Sequence, residues 1–347
     1  METLDIGMIS TQVIPTPPLM YGGLELVVWN LCKPLGDLGH NVTLYAPKGS
    51  RVPPNGQLFE TGDPMGQDES VAYGKYKDNL GKHDIIHTHS WSKMEVLYKR
   101  DNPNAHVVAS HHGMEPYTQK PKPEVPFILV SQSHAEVFRE SWGDYPLHWV
   151  HNSIDLEKYP FVPRKDRDKW LFLSRLSPFK GAHTFIDIMN ETQENGVIIG
   201  GSFGDNQDYV NHIKKECANS EYVEYRGEVS FEEKIKLIRE SIGLLSPLVT
   251  YANRGMGNEI WWEPFGIHFI EALACGTPII TAFNGGAIEI IENKKHGFLC
   301  AGREDYIKAV TNIEDINIQD CRDRSLDFDR NVTVKKYLDI YKQVMSK

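Results

Sequence analysis

Apolar and polar positions alternate along the chain in two distinct rhythms. Short apolar runs of strand length occupy residues 4–10, 41–46, 84–89, 106–110 and 127–131, and a longer stretch at helical spacing covers 24–38. That alternation predicts a parallel sheet covered by helices. A proline-bearing, charged stretch at 159–169, YPFVPRKDRDK, reads as a linker. A second series follows, with strand-like runs at 170–176, 196–200, 223–226, 242–247, 278–282 and 297–300. Helical patterns from 182, over about 205–217 and over 231–240 lie between them. Two doubly wound α/β domains are expected, about 1–160 and 161–347, with ligands at the carboxyl ends of strands, commonly in the cleft between domains. Val334, Tyr337, Leu338, Tyr341, Val344 and Met345 recur at helical spacing. They predict a final amphipathic helix over about 331–345 that packs on a domain surface, the first domain being one candidate.

One run breaks the apolar pattern in an informative way. In WWEPFGIHFIEALACGTPII, residues 261–280, Glu271 interrupts an almost wholly apolar helix that ends at Cys275-Gly276 before Thr277-Pro278. A buried carboxylate there must be neutralised, hydrogen-bonded or turned toward a cleft. Glu263 precedes a proline and therefore sits on the loop entering the helix. Either the two carboxylates flank a ligand site, or Glu271 pairs with a lysine or arginine of another segment.

Composition narrows the function classes. The 347 residues carry 37 Lys and Arg against 47 Asp and Glu, a net charge of −10, which argues against broad nucleic-acid binding and weakly against attachment to an anionic membrane, so membrane association is expected to be peripheral at most. Five scattered cysteines without CxxC spacing read as reduced core residues. No apolar run of 18 residues and no secretory leader is read, so a cytoplasmic protein is expected.

Several loops carry candidate chemistry. Gly22-Gly23 precede a helix, where bare backbone amides meet an anion. Arg175 and Lys180 follow a strand, and Gly181 opens the next helix, a setting that suits a diphosphate. His111 and His112 end a strand, while His87 and His89 share one face of another; without further ligands these read as packing and cleft-lining groups rather than a metal centre. The DxD triplets at 166–168 and 327–329 are misplaced for a metal-bound diphosphate.

Taken together, YGGLELVVWNL, GHNVTLYAP, DIIHTHS, SHHG, VHNSID, SRLSPFKG, EYRGEV and EPFGIHFIEALACGTPIITAFNGGAIEII resemble, in order and spacing, the retaining glycosyltransferases of family four. The last, with its Glu-x7-Glu pattern, is the most specific. The resemblance implies a GT-B fold of two facing Rossmann-like domains, with the acceptor bound on the first and a nucleoside-diphosphate sugar, UDP- or GDP-linked, on the second. It implies that Glu271 binds the ribose hydroxyls and Glu263 faces the donor sugar, with the amides of Phe265, Gly266 and Ile267 nearby. Arg175 and Lys180 would neutralise the leaving diphosphate, Gly22 and Gly23 would close on it, His112 would stand beside the sugar, and the backbone at Val229 would read the base. No resident cofactor or metal is implied. Ser174 and Ser153 stand where the family commonly has glycine. The acceptor, whether saccharide, lipid-linked or small metabolite, is unassigned; His89, Trp91 and Glu115 are the residues expected near it. The segment 249–262, with Arg254 and paired tryptophans, is expected to shape donor or acceptor specificity. The competing readings are a glycoside hydrolase using Glu263 and Glu271, and a non-catalytic nucleotide-sugar binder on the same fold. A dinucleotide oxidoreductase is disfavoured because no GxGxxG opens a helix after the first strand.

Overall fold

The computed structural model describes residues 2–20, 22–65, 68–114, 124–161, 163, 167–202, 206–248 and 262–346. The chain divides into two compact units, Met1–Ile154 with Phe328–Lys347, and Asp155–Asp327.

The first unit runs β1 (Asp5–Ile9), α1 (Gly23–Asp37), β2 (Asn41–Ala46), β3 (Gly56–Glu60), α2 (Glu69–Tyr76), β4 (Ile85–Thr88), α3 (Glu95–Asp101), β5 (Val107–Ser110), β6 (Phe127–Leu129), α4 (Gln132–Trp142) and β7 (Leu147–Trp149). Its strands pair in parallel in the order β3-β2-β1-β4-β5-β6-β7. Central strands β4, β5 and β6 are buried along their whole length, as parallel pairing with both faces covered demands. The edge strands β3 and β7 are half-exposed, and their mixed sequences GQLFE and LHW carry no strong strand pattern.

The second unit runs β8 (Lys169–Leu173), α5 (Ala182–Thr192), β9 (Gly196–Ile199), α6 (Gln207–Ala218), β10 (Val223–Gly227), α7 (Phe231–Glu240), β11 (Ser241–Ser246), α8 (Ile267–Ala274), β12 (Ile279–Ala282), α9 (Ala287–Ile290), β13 (Gly297–Cys300), α10 (Arg303–Thr311) and α11 (Ile318–Ser325). Its parallel sheet has the order β10-β9-β8-β11-β12-β13, so chain direction across the sheet reverses between β8 and β11. The loops leaving those two strands part to either side, which opens a crevice at their carboxyl ends.

The last helix, α12 (Arg330–Met345), belongs to the first unit. Val334, Tyr337, Leu338, Ile340 and Tyr341 pack into one core with Ile6, Met8, Val28, Leu31, Leu35 and Leu44. Ile154 N–H donates to the Phe328 carbonyl at 3.0 Å and Arg330 N–H to that of Ile154 at 3.0 Å, so the returning chain is stitched to the end of the first. Tyr159, in the stretch expected to be linker, is instead buried in the second unit. Pro163 is exposed, and residues 162 and 164–166 lie outside the described residues.

Beneath α12, the buried His87 ring bonds the Tyr341 hydroxyl through Nδ1 at 2.7 Å and Ser110 Oγ through Nε2 at 2.8 Å. Burial, with help from the Lys93 ammonium, pushes His87 from 6.5 to about 3, so it is neutral in the folded protein. Tyr341→Phe leaves one buried ring nitrogen without a partner, and a loss of about 1–3 kcal/mol is expected from urea titration, with an unchanged slope. A folded-state pKa below the unfolded one means the unfolded chain binds more protons as pH falls through 6.5. His87 therefore favours unfolding progressively between about pH 6.5 and 3, and His87→Gln should flatten that part of the stability-pH curve.

Candidate active site

The reversal point of the second sheet is built by three loops that glycine allows to touch. After β8, a single turn at Pro178–Lys180 leads to Gly181, which caps α5 at φ +81°. A Cβ at Gly181 would stand 2.0 Å from the Pro247 carbonyl oxygen just beyond β11, so any other residue would force the loops apart. After β12, Gly285 adopts φ +54°, and a Cβ there would meet the Glu263 carbonyl oxygen at 2.2 Å. That carbonyl accepts the Gly286 N–H at 2.7 Å. Backbone contact on both sides thus fixes where Glu263 and Lys180 begin.

Their side chains meet. Lys180 Nζ donates to Glu263 Oε2 in an ion pair that is almost wholly buried. Burial alone would raise the Glu263 carboxyl, but Lys180, with His268 and Arg175 behind it, outweighs burial and holds the carboxyl below its usual range. His268 moves the other way: burial pushes it down to about 4, against the pull of Glu263, so it is a neutral ring near two carboxylates. Its Nε2 lies 3.4 Å from Ser246 Oγ at the end of β11. Arg175, partly buried on the loop after β8, makes no hydrogen bond or ion pair with the described residues, yet its charge is felt at Glu263. Among the described residues the site therefore sets Arg175, a cation without an ion-pair partner there, beside a neutral pair, a setting that attracts an anion.

Glu271, on buried α8, has already found partners. Its Oε1 accepts from Tyr159 at 2.7 Å and from Lys234 Nζ of α7 at 2.6 Å, while Oε2 accepts from none of the described residues. Of the two expectations for this carboxylate, pairing with a lysine is the arrangement seen. The Tyr159 hydroxyl is held well above its usual pKa by burial and by the neighbouring carboxylate. One oxygen of Glu271 is consumed by the protein and the other remains able to accept from a ligand.

The other expected donor-side residues fall near the same strand ends. Gly266 caps α8 at φ +93°, Phe265 is buried beside it, and Ile267 opens the helix half-exposed. Val229 lies between β10 and Ser230, the residue whose side chain caps α7. Gly22, Gly23 and His112 belong to the first unit. Gly22 precedes the first turn of α1, and His112 Nε2 lies 3.0 Å from Nδ1 of buried His89, the two ring planes inclined by 20°. Trp91 is half-exposed on the loop after β4. Glu115 and residues 249–261, Arg254 among them, lie outside the described residues.

Four groups are not evident from sequence: Tyr159, Lys234 and Gly285 in the second unit, and the buried Lys93 in the first. Tyr159 was hidden by its charged, proline-rich neighbours, and Lys234 by a helix of alternating charge; only the asparagine-glycine-glycine run marked Gly285. Among the described residues, no group of three or more His, Cys, Asp or Glu side chains converges for a metal, and no helix is long and apolar enough to cross a membrane. All five cysteines are buried and unpaired.

Two family models cover the chain almost end to end. Residues 21–158 match the model described as Glycosyltransferase Family 4, and residues 155–327 match that of Glycosyl transferases group 1. Spore coat protein SA of Bacillus subtilis is 24% identical over 354 aligned residues, 90% of each chain. The crystal structure of AviGT4, a glycosyltransferase involved in avilamycin A biosynthesis, superposes with a TM-score of 0.78 at 21% identity over 99% of this chain and 98% of its own. Anabaena HepE in complex with UDP-glucose superposes with a TM-score of 0.77 at 18% identity, over 98% of this chain and 100% of its own. With two parallel Rossmann-like sheets, a long final helix and both family models matched in sequence, the chain is a glycosyltransferase of the GT-B fold, related to several groups of enzymes that use nucleoside-diphosphate sugars.

Proposed function

We propose that the protein is a retaining enzyme of family four that moves a sugar from a UDP- or GDP-linked donor to an acceptor hydroxyl without a bound metal. The observation that carries this reading is the buried Lys180–Glu263 pair with Arg175, unpartnered among the described residues, beside it, at the point where the sheet order reverses. Nucleotides bind parallel α/β sheets at that point, and the diphosphate needs cations there. The UDP-glucose complex of HepE supports the uridine form of the donor.

Each residue then has a definite task. Arg175 and Lys180 face the diphosphate, whose charge grows as the bond from the sugar's anomeric carbon to the phosphate oxygen breaks. The acceptor oxygen bonds the same carbon from the same face, and its proton passes to the departing phosphate oxygen, so no protein nucleophile is needed. Glu263, held as a carboxylate, orients the sugar and is unsuited to donate a proton, which speaks against its service as the acid of a glycosidase. Glu271 offers its second oxygen to the ribose hydroxyls, while Lys234 and Tyr159 hold the first. The backbone at Phe265, Gly266 and Ile267 approaches the sugar and phosphate, and that at Val229 the base. Gly22, Gly23 and His112 belong to the same reading as the first unit's contribution to donor binding.

Glu263→Gln should fold normally and lose roughly a hundredfold in turnover, measured as sugar release from the donor; full turnover would remove Glu263 from the reaction. A thermal-shift panel of uridine, guanosine, adenosine and thymidine diphosphates should show selective stabilisation of the wild type, about 2.7 kcal/mol at a hundred times Kd. In Glu271→Gln that stabilisation should shrink strongly. Absence of any wild-type shift at millimolar nucleotide would refute the donor assignment.

A further inference from the structure

Lys93 is an unusual residue in the first unit. It lies on the loop after β4 with φ +49°, is 3% exposed, and makes no ion pair or hydrogen bond with a carboxylate among the described residues. Its ammonium instead donates to two backbone carbonyls, that of Ser90 at 2.8 Å and that of Ser110 at 2.7 Å, and stands 5.9 Å above the Phe127 ring. A buried ammonium satisfied only by carbonyls is costly, and burial indeed lowers Lys93 from 10.5 to about 8. Ser90 directly follows His89, and Ser110 stands two residues before His112. One side chain therefore ties together the ends of β4 and β5, from which the two hydrogen-bonded imidazoles project.

The tautomers of that pair follow from their partners. Burial keeps both rings neutral. His89 Nδ1 and His112 Nε2 are 3.0 Å apart, so one of them carries the shared proton. Among the described residues His89 Nε2 is buried without a partner, while His112 Nδ1 has no hydrogen-bond partner there and belongs to a partly exposed ring. If His112 supplied the proton, His89 would bury an orphaned N–H, which is rarer and costlier than an unused lone pair. His89 Nδ1–H is therefore the donor, and His112 is left with its proton on Nδ1. The Lys93 cation, close to both rings, also favours lone pairs over a second charge.

We infer that Lys93 is a positioning residue that, by clamping the Ser90 and Ser110 carbonyls, holds His89 against His112 and fixes His112 as the Nδ1–H tautomer, a hydrogen-bond donor for an oxygen of the bound ligand. The functional part of this inference rests on the proposed place of His112 beside the donor sugar; the tautomer does not.

The test is heteronuclear NMR of the full chain labelled with 15N-histidine, at neutral pH and without ligand. Wild-type His112 should show a protonated Nδ1 and an unprotonated Nε2, and in Lys93→Met it should revert to a mixture dominated by Nε2–H, with turnover reduced roughly tenfold and KM changed less. His89→Leu, which leaves the lysine clamp in place but removes the partner ring, should release the tautomer as well and stands in if Lys93→Met does not fold. A wild-type Nε2–H signal, or an unchanged Nδ1–H signal in either folded variant, overturns the proposal. His112→Ala separates the two layers: undiminished turnover there removes His112 from the donor site without touching the tautomer result.

Discussion

The second unit turns on the buried ion pair of Lys180 with Glu263. Lys180 and Glu263 come from loops on opposite sides of the sheet's reversal point, and neither would be tolerated there alone, because an unpaired charge in that setting costs several kcal/mol. Pairing removes the penalty, and the Arg175 charge nearby adds to the hold on the Glu263 carboxylate. The glycines that bring the loops into backbone contact matter for the same reason. A salt bridge between partly buried side chains is worth having only when its geometry is imposed from outside, and here Gly181 and Gly285 impose it.

Glu271 shows the same economy. A carboxylate inside an apolar helix is ordinarily a defect, yet the lysine and tyrosine that satisfy it both engage one oxygen. Its charge is met within the protein, and the other oxygen has no partner among the described residues. Around both carboxylates the neutral His268 adds polarity without adding charge, which keeps the balance of the site from shifting with modest changes of pH.

How much of this could be read from the chain differs by element. The central strands were legible, because apolar runs such as 107–110 and 279–282 have only one comfortable place, inside a covered parallel sheet. The edge strands β3 and β7 were not, since half-exposed strands carry mixed residues that look like loop. Glu263, Glu271, Arg175 and Lys180 stood out because charge beside an apolar run is conspicuous. Their partners did not: Lys234 sits among the charges of an amphipathic helix, and Tyr159 in a stretch that reads as linker, so only the fold reveals that they serve a residue far away in sequence. Lys93 was overlooked for a related reason, as a lysine in a polar loop is normally solvated and nothing local says that two carbonyls enclose it.

The return of α12 to the first unit has an implication for how the molecule is made. The second unit is in effect an insertion, since its residues lie wholly between the two segments that form the first. Tyr337, Leu338 and Tyr341, which complete the layer over β1 and α1, lie beyond the second unit along the chain. Every residue of the second unit precedes them. During synthesis, the first unit is thus begun before the second and completed after it, and until its closing helix arrives, the apolar face of α1 and the His87 ring beneath it lack their permanent cover.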